Sequence, residues 1–157
     1  MLVPYGAFPE RPHPELPHPT RPFSVGIVAE GDGDSQRFQA GVDASRGFEK
    51  YFAFWRRYFD SATPGELAIR DEYELVQGDG VDFLWQTTLE VKLSDGVITL
   101  HGRRGRCSIE IPAGCTAALE IVAEERPEKD GPAIVHRRIR IRKPGLKGSL
   151  SIKAQLS

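Results

Sequence analysis

From residue 67 onward, apolar side chains recur at every second position. Leu150, Ile152, Ala154 and Leu156 fall on one side of an extended chain, with Ser151, Lys153 and Gln155 on the other. This period of two marks strands that bury one face. It predicts strands at 67–76, 83–93, 97–101, 107–111, 117–125, 134–142 and 150–156, and an earlier apolar run predicts one more at 23–29, ended by Gly31-Asp32-Gly33-Asp34. Asp95-Gly96 signals a hairpin, because a type I′ turn needs positive φ at both central positions. The pattern predicts a mainly β chain: an antiparallel β-sandwich or barrel of about eight strands. One stretch breaks the period. Residues 48–59 hold seven of the fourteen aromatics, and Phe48, Phe52, Trp55 and Phe59 recur at helical spacing. A helix over about 44–60, capped by Asp43 or Ser45, fits that spacing; the aromatic richness equally favours a strand.

The first 22 residues carry seven of the twelve prolines. Proline fixes φ and removes a donor, so the segment favours polyproline II and excludes helix or central strand. The chain therefore divides into an extended arm, 1–23, and a single β-rich domain, 24–157. At about 3.1 Å per residue the arm reaches roughly 70 Å, several times the ~14 Å radius of gyration of the body. Ordering it requires its apolar side chains to be buried on some surface. Tyr5, Phe8, Pro12, Leu16, Pro17 and Phe23 are the candidate partner-binding residues.

Composition narrows the function classes. A formal net charge of −1 and a pI near 6.4 give no global field for nucleic acid or an anionic membrane. No apolar run approaches the ~20 residues that span a bilayer. Asparagine is absent and methionine occurs only at position 1, a depletion of labile residues that suits a thermostable protein; arginine outnumbering lysine fifteen to six fits a GC-rich genome equally well. Cys107 and Cys115 flank Pro112-Ala113-Gly114. A hairpin there would separate them beyond disulfide reach, leaving two reduced, buried thiols.

Candidate chemistry is sparse. His136, Arg138, Arg140 and Arg142 form a basic row, but the preceding strand offers Glu120 and Glu124, and residues 126–132 supply a turn, so facing charges would neutralise it. Gly102-Arg103-Arg104-Gly105-Arg106 is a basic loop without the Gly-Lys-Ser/Thr ending of a P-loop; Arg103 and Arg104 are candidates for touching an acidic neighbour. His13 and His18 are about 15 Å apart in polyproline geometry, too far for one ion. The Gly-Asp-Gly-Asp stretch lacks the glycine a calcium loop needs, since Arg37 holds that position. Asp71 and Glu72 point to opposite faces of a strand. No nucleophile elbow and no clustered metal ligands occur. The reading is of a non-enzymatic protein without cofactor or metal.

An extended arm at 1–23 on a compact antiparallel β domain, with the run Ser108-Ile-Glu-Ile-Pro-Ala-Gly-Cys115, resembles the organisation of head decoration proteins of tailed bacteriophages. That resemblance implies a homo-oligomer, often a trimer, which clamps the major capsid protein or another lattice subunit through its arm on the virion exterior; otherwise a cytoplasmic location is expected. Two alternatives stand beside it. One is a glycan- or peptide-binding β-sandwich module. The other is a small cupin-like β-barrel enzyme, suggested by Ile111-Pro-Ala-Gly114 but lacking the His-x-His pair of that family's metal sites.

Overall fold

The alternating pattern does build strands. The computed structural model, which describes residues 1–6, 26–32, 34, 37–125 and 133–157, is an antiparallel β-sandwich of two open sheets with no closed barrel. Its strands are β1 Leu2–Tyr5, β2 Ile27–Asp32, β3 Arg37–Asp43, β4 Phe52–Ser61, β5 Glu66–Leu75, β6 Gly80–Thr87, β7 Glu90–Ser94, β8 Val97–His101, β9 Arg106–Glu110, β10 Thr116–Glu125, β11 Ile134–Pro144 and β12 Lys147–Leu156. The small sheet runs β1-β6-β11-β10 and the large one β2-β3-β4-β5-β12-β9-β8-β7. Between β7 and β8, Asp95 and Gly96 take φ of 52° and 77°, the primed turn expected of that dipeptide.

Twelve described strands replace the expected eight, partly because the chain changes sheets. The single strand expected over 83–93 is two, β6 in the small sheet and β7 in the large one; between them the Leu89 amide donates to Thr87 Oγ1 at 3.1 Å. Pro112-Ala113-Gly114 likewise joins β9 of the large sheet to β10 of the small one, so it is a crossover turn and not a hairpin. The early strand starts at Ile27 and runs through Asp32; Phe23 lies outside the described residues.

The helix expected at 44–60 is absent. Only Ser45–Gly47 forms a short 3-10 turn, and Phe52–Ser61 is a strand. A β-bulge explains the misleading period. The register with β5 shifts between Phe52 and Phe54, and the extra residue puts Phe52 and Trp55, three apart, on the same buried face. Beyond the bulge, Arg57, Phe59 and Ser61 follow Trp55 inward at the strand period of two, opposite Asp71, Ile69 and the end of β5.

Residues 2–5 of the proline-rich arm are part of the body. They pair antiparallel with β6 as an edge strand, Leu2 opposite Phe83 and Pro4 opposite Val81. An edge is where a strand proline is tolerated. Leu2 and Val3 are 0% and 2% exposed, so they are spent within this chain. Leu2, Val81, Phe83, Ile139 and Ile141 of the small sheet share one apolar cluster with Phe52, Trp55, Ile69, Tyr73, Ile109 and Ile152 of the large one. Truncating a fully buried leucine such as Leu2 to alanine costs about 2–5 kcal/mol in general. Removal of residues 1–22 therefore strips an edge strand from the core.

Candidate functional site

The large sheet overhangs the small one at its β2–β3 end, where every residue of β2 is exposed. The ladder registers fix which side chains share the outer face. Val28 and Glu30 on β2 stand beside Gly41 and Gln39 on β3, these beside Tyr58 and Asp60 on β4, and these beside Arg70 and Ala68 on β5; Ser151 of β12 lies opposite Arg70. Together they line a groove of about 600 Å³.

Tyr58 is the centre of the groove. On one side it meets Gly41, where an added Cβ would lie 3.4 Å from its ring, so the missing side chain leaves the ring its place. The Arg70 guanidinium lies over the ring, 4.6 Å from its centroid, and its charge is held by Glu72 at 2.8 Å. Gln39 Nε2 donates to Asp60 Oδ2 at 3.0 Å, fixing the amide so that its carbonyl oxygen is left to accept. A flat ring, an amide, two carboxylates and a hydroxyl therefore converge on one open surface. Nearby on the same face, Arg56 Nε donates to Asp43 at 2.9 Å. Hydrogen bonds from Ser45 and then Arg56 hold the Asp43 carboxyl below its usual value.

Directly behind this face, on the same strands, is a buried polar node. Asp71 is fully buried; it accepts from Trp55 Nε1 at 2.7 Å and from Arg57 Nε and Nη2 at 2.8 Å each. Arg57 also lies 5.4 Å from the ring centroids of Trp55 and Phe83. Every strong acceptor here has a partner, and Arg57 reaches from the large sheet to Phe83 of the small one, so the node braces the two sheets.

The basic row of β11 is neutralised. Glu120 holds Arg140 at 2.9 Å and lies 3.8 Å from Arg138, and Asp82 takes Arg142 by two bonds of 2.8 Å. His136 lies 3.6 Å from Glu125. A bulge after Ile121 places Glu124 opposite Val135, so Glu124 does not take part as the pattern suggested. Residues 126–132 lie outside the described residues.

Of the residues read as partner-binding, Tyr5 packs its ring against Arg142, 4.0 Å from the guanidinium, and burial pushes its phenol up. Phe8, Pro12, Leu16, Pro17 and Phe23 lie outside the described residues, as do His13 and His18. Arg103 and Arg104 are exposed in the loop closed by the Gly102 amide donating to Gly105 O at 2.9 Å. Cys107 and Cys115 are free thiols, as expected, but half-buried where buried ones were expected, and burial raises both. Among the described residues no cluster of His, Cys, Asp and Glu could hold a metal ion, and no helix is long and apolar enough to cross a membrane.

The groove itself escaped the sequence reading. Its polar members stand at alternate positions of five strands, and assigning 44–60 to a helix removed Tyr58 and Asp60 from any sheet. Only the strand register brings them together.

No family model and no curated protein matches the chain. Among solved structures, a heparan sulfate lyase HepC mutant from Pedobacter heparinus superposes on 83% of this chain with a TM-score of 0.54 at 8% identity. The chain spans 21% of that protein. What the two share is the fold.

Proposed function

We propose that this chain is a non-catalytic glycan-binding β-sandwich module and that the outer groove of β2–β5 and β12 is its binding face. The observation that carries this reading is the convergence of Tyr58, Gln39, Asp60, Arg70 and Ser151 on one open sheet surface. Sugars present an apolar C–H face that packs on planar groups and hydroxyls that need fixed donors and acceptors, the combination of apolar platform and few placed polar groups found in ligand sites. The fold likeness to part of a heparan sulfate lyase is compatible with this reading. The charges point to a different sugar class. Glu30 and Asp60 lie in the groove and Arg70 is already paired with Glu72, so a sulfated polyanion meets repulsion where a neutral oligosaccharide meets acceptors.

Titration calorimetry of the full chain against cello-, xylo- and manno-oligosaccharides, with heparan sulfate as the charged control, tests this. Binding of a neutral oligosaccharide that Tyr58→Ala and Asp60→Ala each weaken at least tenfold is the expected result. Binding of heparan sulfate alone, or of no glycan, overturns it.

An assembly role, including capsid decoration, draws support from a separate observation: among the described residues β2 is an edge strand paired only with β3, with Ile27 and Val28 68% and 74% exposed, the kind of edge that pairs with another chain. The solution mass of the intact chain and of a Val28→Lys variant distinguishes the readings. A multimer that the variant dissociates supports assembly, and a monomer removes it.

A further inference from the structure

We propose that the open end of the sandwich is a second binding site, for a free single-chain amphiphile with an anionic head. It lies between the sheets, away from the outer groove, and does not depend on the glycan reading. Where the chain leaves β6 for β7 the two sheets part. Leu67, Trp85, Leu89, Leu100, Cys107 and Leu156 wall a cleft of about 420 Å³ whose surface is almost wholly apolar. Leu89, Leu100, Cys107 and Leu156 also wall an adjoining hollow of about 510 Å³, so the two share these four residues. Each volume falls within the roughly 300–1,000 Å³ of small-molecule pockets.

The hollow ends at the loop between β8 and β9, and there its lining changes from apolar to basic, with Arg104 and Arg106 at the rim. Among the described residues neither arginine, nor Arg103 beside them, has a carboxylate within salt-bridge distance, whereas Arg56, Arg57, Arg70, Arg138, Arg140 and Arg142 all do. Arg106 exchanges backbone hydrogen bonds of 2.7 and 2.9 Å with Ser157, which also lines the hollow, and in register it faces His101, itself opposite Glu90. Apolar walls that open onto unneutralised guanidinium groups complement a molecule built the same way: a hydrocarbon tail for the cleft and a carboxylate for the arginines. This gives the loop singled out by its sequence, Gly102-Arg103-Arg104-Gly105-Arg106, a ligand.

The test titrates the full chain with dodecanoate, with dodecanol, which lacks the charge, and with butyrate, which lacks the tail. Calorimetry reads binding, and a Trp85→Phe variant assigns any fluorescence change. Dodecanoate is expected to bind with one-to-one stoichiometry, at least tenfold more tightly than either control, and paired Arg104→Glu and Arg106→Glu substitutions at the surface loop are expected to weaken it at least tenfold. Cys107→Phe, which fills the cleft, is expected to abolish binding; if that variant does not fold, the arginine pair decides. Equal affinity for dodecanol, an unchanged affinity in the arginine variant, or binding to phosphatidylserine vesicles but not to free dodecanoate would overturn the proposal.

Discussion

Strands β4 and β5 carry the same chemistry on their two faces and use it differently. Inward, Arg57 meets Asp71 by two bonds, with the acid fully buried and Trp55 supplying a third donor. Outward, Arg70 meets Glu72 at a similar distance, but the two side chains are 51% and 31% exposed. A buried carboxylate stripped of its arginine has no water to replace it, while a surface pair exchanges freely with solvent. Burial therefore turns one ion pair into a brace and leaves the other open to solvent.

Asp71→Ala is expected to have the largest effect. It leaves Arg57 charged and unpaired between the sheets and should cost about 3–5 kcal/mol, read as a fall in the urea midpoint; a loss below 1 kcal/mol would show that the inner pair is no different from the outer one. Trp55→Phe keeps a ring against Phe48 and Phe52, whose centroids lie 5.1 and 5.2 Å from it. It removes the donor to Asp71 together with part of the buried indole and should cost at least about 1.5–3 kcal/mol, the range for hydrogen bonds to charged groups. On the outer face, Glu72→Ala should change stability by about 0–1 kcal/mol, while freeing Arg70 and altering oligosaccharide affinity. A stability loss as large as that of Asp71→Ala would abolish the contrast.

The smallest expected effect is one of pH. Asp43 is held below its ordinary carboxyl value by Ser45 and Arg56, so as pH falls the unfolded chain takes up a proton before the folded one does. The stability this gives is present above the unfolded value and is lost as pH drops through the folded value. Asp43→Asn should lower the melting temperature slightly at neutral pH and leave it unchanged at the acid extreme, so that the acid limb flattens; the effect is small because the pair sits in solvent.

Much of the fold was legible because local rules sufficed. Strand alternation after residue 67 and the Asp95-Gly96 turn each depend on a few neighbouring residues, and the structure follows both. The aromatic run misled because a bulge at Ala53 gave a strand the three-residue step of a helix. The proline-rich start misled in part as well: its prolines barred a central strand but not an edge one, and Leu2 and Val3 were free to complete the core.

The sequence by itself determined that this is a β protein: the alternation of side chains and the turn residues are properties of short stretches. It also determined that the Arg138–Arg142 row had an acidic neighbour within reach. Only the tertiary structure decided which strands change sheets, that Asp71 faces inward to a partner fourteen residues away, and that Tyr58, Gln39, Asp60 and Ser151 share a surface. Those choices belong to register and bulges, where a shift of one residue exchanges the faces of a whole strand. That energy is realised only when strands distant in sequence are packed together.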